Sequence, residues 1–267
     1  MPLFRGLRPL KRWRYVGIFS DELAACAALV QIGPARQSFW ALKLAGEARL
    51  RERTRLLPRS GEVELTRAGE VPGSGAGRLR IRDRGVDLDV EIDEEAGVEA
   101  LCAHGRENVW TRKQAGVRAR GTLILDGGAP RAFEALAVID DTAGHHARET
   151  EWRWSAGVGV GSGGEALAWN LVSGVNDPPS GSERAIWVDG EPHEAPPVSF
   201  AADLSGIRGS DGSQLHFTAE AERSRRDNLL IVSSDYRAPF GSFSGMLPGG
   251  VRLARGRGVM EHHRARW

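Results

Sequence analysis

Cysteine is nearly missing: Cys26 and Cys102 are the only two, with no CxxC pair and no metal-ligand spacing. A disulfide framework and a thiolate metal centre are unsupported, and buried free thiols are the expected state of both. Lysine is almost as scarce, at positions 11, 43 and 113 alone, so arginine supplies 33 of the 36 basic residues. An excess of either charge is absent as well. With 36 basic and 35 acidic residues the formal charge is +1, which argues against a general nucleic-acid binder. The longest apolar run, 23–30, falls far short of the ~20 residues of a membrane helix, so no transmembrane segment is expected. The opening MPLFRGLRPLKRWRYV is basic but lacks an apolar h-region; no secretory leader is expected, and cytoplasm is the default location. Its basic residues Arg5, Arg8, Lys11, Arg12 and Arg14 read as a solvated first-strand edge rather than a phosphate-binding arm.

Familiar catalytic signatures are missing too. There is no GxSxG elbow, no P-loop and no HExxH, and Glu261-His262-His263 is not that zinc motif. Gly157-Val158-Gly159-Val160-Gly161 follows a tryptophan-rich stretch, lacks the phosphate-loop lysine and leads into Ser-Gly-Gly rather than a helix. It reads as a strand passing close to another backbone. No metal and no cofactor are expected.

What is abundant is turn chemistry. The 34 glycines and 13 prolines punctuate the chain at short intervals, among them Gly33-Pro34, Gly73-Ser74-Gly75, Gly127-Gly128 and Pro248-Gly249-Gly250, leaving little room for long helices. Between them period-2 alternation recurs. In Val86-Asp87-Leu88-Asp89-Val90-Glu91-Ile92 every second residue is aliphatic and every intervening one acidic, the pattern of a strand with one dry face. Asp189-Gly190 after Ile186-Trp187-Val188 marks a hairpin, and Pro248-Gly249-Gly250 another. The alanine-rich 23–30 run reads as a buried strand, and 219–226 as an edge strand with exposed charges. An all-β fold with more than 40% strand and little helix follows, roughly double the ordinary share. The chain divides near 127–132 into two β-rich halves, 1–130 and 131–267, each enough for an ~8-stranded barrel or sandwich, packed together through apolar faces.

Four blocks are unusually rich in tryptophan, histidine, asparagine, arginine and acid: 140–154, 169–177, 182–190, and 234–245 with 258–267. In this order they resemble the bacterial family catalogued as domain of unknown function 2804, most specifically from Asp140 onward. That family is similar, more distantly, to two-barrel lipocalin-like proteins such as hydroxyneurosporene synthases and tocopherol cyclases. The resemblance implies two lipocalin-like barrel halves around an enclosed apolar pocket and, for the distant relatives, cofactor-independent chemistry on an alkene. No catalytic motif of those enzymes is matched residue by residue.

The second half holds the candidate site. Glu261 and His263 share one strand face and His262, Arg264 and Arg266 the other, so Glu261 with one neighbouring histidine could form an acid–base pair. Glu261 and Asp140 are the candidate catalytic acids. Trp152, Trp154, His145, Arg148, Asn170, Asn176, Tyr236, His262 and His263 are the candidate ligand-binding residues. In the bland alternative Glu261 pairs with Arg148 or Arg264 in a buried ion pair, the asparagines cap turns and the tryptophans fill a core. Three functions remain open: a module binding a small apolar ligand; a hydratase, cyclase or isomerase acting on a terpenoid- or lipid-like substrate; and a structural protein with no cavity. A cavity lined by Glu261 and His145 would decide among them.

Overall fold

The computed structural model describes residues 1–70, 74–104, 106–229 and 232–266; Gly73 and Trp267, both used in the sequence reading, lie outside them. No helix occurs among the described residues, and strand makes up 69%. No described helix could therefore cross a membrane. A short pair, β1 (Phe4–Arg5) and β2 (Arg8–Pro9), precedes the first large sheet. That sheet comprises β3 (Lys11–Phe19), β4 (Leu23–Ile32), β5 (Ala35–Leu44), β6 (Leu50–Arg55), β7 (Val63–Thr66), β8 (Gly77–Asp83), β9 (Val86–Ile92), β10 (Val98–His104), β11 (Glu107–Leu125) and β12 (Arg131–Gly144). Its order is β6-β5-β4-β3-β12-β11-β9-β8-β7, with β10 also on β11.

The second sheet comprises β13 (Glu149–Gly161), β14 (Ala166–Ser173), β15 (Ala185–Val188), β16 (Glu191–Glu194), β17 (Val198–Phe200), β18 (Gly206–Gly209), β19 (Gln214–Leu229), β20 (Val232–Leu247) and β21 (Val251–Arg266). Its order is β16-β15-β14-β13-β21-β20-β19-β18-β17. The two orders follow one plan. Four strands meander outward, the chain crosses to the far edge, and the return ends by pairing the last strand with the first, β12 with β3 and β21 with β13. The Asp189-Gly190 hairpin forms as its sequence requires, both residues having positive φ (50° and 90°).

β12 pairs with β3 and β11, so residues 131–144, which the sequence division gives to the second half, are hydrogen-bonded into the first sheet. The change of sheet comes between Gly144 and Glu149. Two further expectations need correction. β3 lies at the centre of its sheet rather than at an edge, and Lys11 and Arg14 on it are buried; Arg14 bonds Asp141 (2.7 Å) and Glu94 (2.5 Å). The 219–226 segment pairs with β20 on one side, yet its Arg223 is only 2% exposed.

Each sheet curls around its own apolar cluster. Val16, Ile18, Leu79, Leu88, Ile92 and Ile139 fill the first; Leu167, Trp169, Leu171, Phe217, Phe243 and Met260 fill the second. Each large apolar side chain buried this way contributes about 1.5–3 kcal/mol. At Gly157 the Trp169 ring occupies the place of a side chain, for a Cβ would lie 2.4 Å from it. A third cluster joins the sheets: Tyr15, Phe19 and Val138 from the first meet Trp154, Ala156 and Phe240 from the second. Cys26 belongs to this cluster and Cys102 is buried near its margin, both as free thiols.

Candidate functional site

A cavity of about 410 Å³ opens within this intersheet layer. The outward faces of β3, β4, β5, β11 and β12 form one wall and those of β13, β19, β20 and β21 the other, so it lies between the halves rather than inside the second one. Aromatic rings stand on both walls. Trp13 and Trp152 stack nearly parallel across the sheet boundary (centroids 6.5 Å apart, planes at 6°), and Tyr15 meets Trp154 edge-on at 5.5 Å.

Two carboxylates stand at corresponding places in this wall. Asp140 lies opposite Tyr15 in register, and Glu261 lies opposite Trp154. Each receives an indole N–H from the tryptophan two residues before that aromatic partner: Trp13 Nε1 donates to Asp140 (2.9 Å), Trp152 Nε1 to Glu261 (2.8 Å). From there the environments diverge. Asp140 also accepts from Thr142 Oγ1 (2.7 Å) and pairs with Lys113 Nζ (2.5 Å). Lys113 in turn reaches Glu183 (3.3 Å), whose other oxygen accepts from Asn176 Nδ2 (3.0 Å). Burial alone would lower the Lys113 pKa, but the charges of Asp140 and Glu183 outweigh it and the net shift is upward. Glu183 is pushed up by burial, against the Lys113 charge.

Glu261 forms no such ion pair among the described residues. Its hydrogen-bond partners are the neutral Trp152 indole and Tyr236 hydroxyl, and burial raises its pKa to about 7 in spite of both. His263 lies against Trp152 (4.3 Å between ring centroids) and exchanges a hydrogen bond with Ser234 Oγ (2.8 Å); burial lowers its pKa to about 3, leaving the ring neutral. Burial likewise holds the Tyr236 and Tyr15 hydroxyls well above their usual range. The wall thus combines one carboxyl raised to about 7 with neutral hydrogen-bonding rings, and the Lys113–Asp140–Glu183 cluster beside it. That arrangement can give and take a proton against an apolar molecule.

Of the residues expected from sequence, Asp140, Trp152, Trp154, Asn176, Tyr236, Glu261 and His263 line the cavity. Four do not. His145 is buried outside the lining, its Nε2 3.1 Å from the Pro2 carbonyl, and its neighbour His146 faces the cavity instead. Arg148 is exposed. Asn170 sits behind the wall, accepting from Trp154 Nε1 (2.8 Å) and donating to the Glu183 carbonyl (2.8 Å). His262 points to the opposite face and meets Glu151 (2.9 Å). The ion pair between Glu261 and Arg148 or Arg264 does not form, since both arginines are exposed. Nor do Glu261 and a histidine hydrogen-bond each other; Trp152 lies between Glu261 and His263 as partner to both. Lys113, Glu183, Arg223, Trp13 and Tyr15 were missed. One signal was available for the last two: Trp13-Arg14-Tyr15 echoes Trp152-Arg153-Trp154.

Comparison with known proteins gives a family and a fold. The profile of the family described as domain of unknown function (DUF2804) matches residues 76–267. No curated protein matches the sequence. Among solved structures, a protein from Nitrosomonas europaea described as a candidate AttH superposes with a TM-score of 0.60 at 13% identity, covering 98% of each chain. Kievitone hydratase from Nectria haematococca superposes with a TM-score of 0.59 at 11% identity, covering 94% of this chain and 88% of its own. At such identities the likeness is one of fold, the two-barrel lipocalin-like all-β architecture.

Proposed function

The chain belongs to the DUF2804 family, and we propose that it binds a small, largely apolar molecule between its two sheets and moves a proton to or from that molecule through Glu261. One observation carries this reading: a carboxyl raised to about 7, in no ion pair among the described residues, in a cavity with aromatic rings on both walls. A module that only binds has no use for a half-protonated acid, whereas hydration, cyclisation and isomerisation of an unsaturated substrate each begin with a proton placed on carbon. Protonated Glu261 would donate; the Trp152 and Tyr236 donors would hold the resulting carboxylate until a proton returns from water or from a neighbouring carbon. One of the fold neighbours is a hydratase by name, a member of the same reaction class. No cofactor, metal or nucleic acid enters this reading, and free buried thiols suit a bacterial cytoplasm.

The test is Glu261→Gln, which conserves volume and keeps an acceptor for Trp152. Tryptophan fluorescence should report binding of terpenoid- or fatty-acyl-like compounds to parent and variant alike. Turnover of a substrate identified for the parent should fall about 10²–10⁴-fold in the variant. A variant as stable as the parent that still turns over removes Glu261 as the acid and leaves the binding module as the function.

A further inference from the structure

Arg223 is a charged group in the cavity wall that the proton-transfer reading does not use. The bulge on β19 between Ala219 and Ala221 places it there. Before the bulge Phe217 faces the core of the second sheet; after it, residues of the same parity face the intersheet layer. The guanidinium lies over the Phe39 ring at 4.0 Å and the Tyr236 ring at 5.0 Å, and Nη2 donates to Thr54 Oγ1 (2.6 Å). Residues from both halves therefore hold it in place.

Its charge is poorly compensated. Lys113 has Asp140 and Glu183, and Arg225, also on the wall, has Asp227 at 2.6 Å. Among the described residues Arg223, at 2% exposure, has one ion-pair contact, with Glu52 at 3.4 Å from Nε and not a hydrogen bond, and the Glu52 side chain is 39% exposed; its charge also acts on Glu261 without contact. Nη1 makes no hydrogen bond among the described residues. A buried guanidinium left this way is costly unless an anion completes it, and its planar fork matches a carboxylate.

The register places that anion relative to the chemistry. Arg223 pairs with Ala238, and the pairing of Arg237 with His262 continues to set Ala238 against Glu261. Arg223, Ala238 and Glu261 thus form one row across three strands, their outer Cα atoms roughly 9–10 Å apart, with the smallest side chain between the two charged ones. We propose that the molecule bound here is an apolar carboxylic acid whose carboxylate is held by Arg223, leaving its hydrocarbon part against Glu261 and the tryptophans. This rests on the cavity being a ligand site, as argued above, but not on Glu261 acting as an acid.

Displacement of N-phenyl-1-naphthylamine by octanoate and by octanol measures the preference directly. At pH 6.5 octanoate is ionised. The parent should favour octanoate over octanol by about tenfold or more. Arg223→Gln should bring the two within about twofold. Arg223→Lys, which keeps charge but loses the planar fork, should fall between. Equal binding of acid and alcohol by the parent overturns the proposal, and needs no variant to fold. So does a preference that survives in folded Arg223→Gln. Because the readout is equilibrium displacement, an Arg223 result of either sign is independent of whether Glu261→Gln turns over.

Discussion

Asp140 and Glu261 occupy matching places in two sheets of one topology, each hydrogen-bonded by a tryptophan indole, and yet one is held in an ion pair and the other is a carboxyl raised to about 7. The difference lies one strand away. On β11 the residue paired with Asp140 is Lys113; on β20 the residue set against Glu261 is Ala238. Lys113 gives Asp140 an opposite charge at 2.5 Å, whereas the Ala238 methyl leaves Glu261 to the cost of desolvation. The halves contribute differently: the first supplies Lys113 and Asp140, the second Glu183, Glu261, Arg223 and most of the neutral donors. Two sheets of one plan come to present different electrostatics when a single cross-strand pair differs between them.

Removing the cation from the first half should be the most damaging change. Lys113→Met leaves Asp140 and Glu183 buried without their shared ammonium. Breaking a buried pair by deleting one partner costs about 3–5 kcal/mol. Denaturant unfolding at neutral pH should show that loss. A loss below about 1 kcal/mol would mean that the cluster is well hydrated and that the contrast with Glu261 is not electrostatic.

Next in size is the pH dependence tied to Glu261. Its folded pKa, about 7, lies above the ordinary carboxylate value of 4.5, so between these limits the folded chain holds a proton that the unfolded chain has released. Stability from this group is complete below pH 4.5 and is lost as pH rises through 7. Glu261→Gln should therefore gain about 2–3 kcal/mol relative to the parent between pH 5 and pH 8. The subtraction also removes the opposite slope from His263, whose depressed pKa makes the parent lose stability as pH falls below 6.5. Tyr236→Phe sharpens the point at lower cost. It deletes one donor to the Glu261 carboxylate, so the carboxyl titration followed by NMR of labelled glutamate should move above 7, by under about one unit. A downward shift would contradict the assignment of Tyr236 as donor.

Much of the fold was legible because it rests on local rules. The alternation in 86–92 is a strand with Val86, Leu88, Val90 and Ile92 in the core, and Asp189-Gly190 turns as its dihedral demands. Parity along β21 separated Glu261 and His263 from His262 correctly. The failures share a cause, which is that parity holds only while a strand is regular. His145 and His146 follow Gly144, where β12 ends, and alternation no longer says which of them turns inward. Lys113 and Arg223 each sit beyond a bulge from the core residues that would have fixed their face. The location between the sheets was hidden for another reason. Strands such as β3 and β14 are apolar on both faces, and nothing in a two-faced strand says which face meets its own barrel and which meets the other half.

The bulge on β11 offers the finest test of that account. Gly116 is the extra residue between Ala115, paired with Val138, and Val117, paired with Ala137; its φ is +78°. Because of it Lys113 and Ala115 face the intersheet layer while Val117 and Ala119 face the first core, although all four share one parity. An alanine at 116 would adopt a left-handed conformation at a cost of about 1 kcal/mol, and its Cβ would meet that of Ala168 across the sheet boundary at 3.2 Å. Gly116→Ala should thus lower the melting temperature by about 2–4 °C while leaving octanoate displacement unchanged, since the bulge remains the only way to keep both cores apolar. A variant that keeps its stability but loses the ligand response would mean that the strand has slipped out of its bulge and turned Lys113 away from Asp140. The bulge would then be a weak preference of the backbone, and the placement of the ion cluster would depend on Gly116 itself rather than on the two cores that β11 joins.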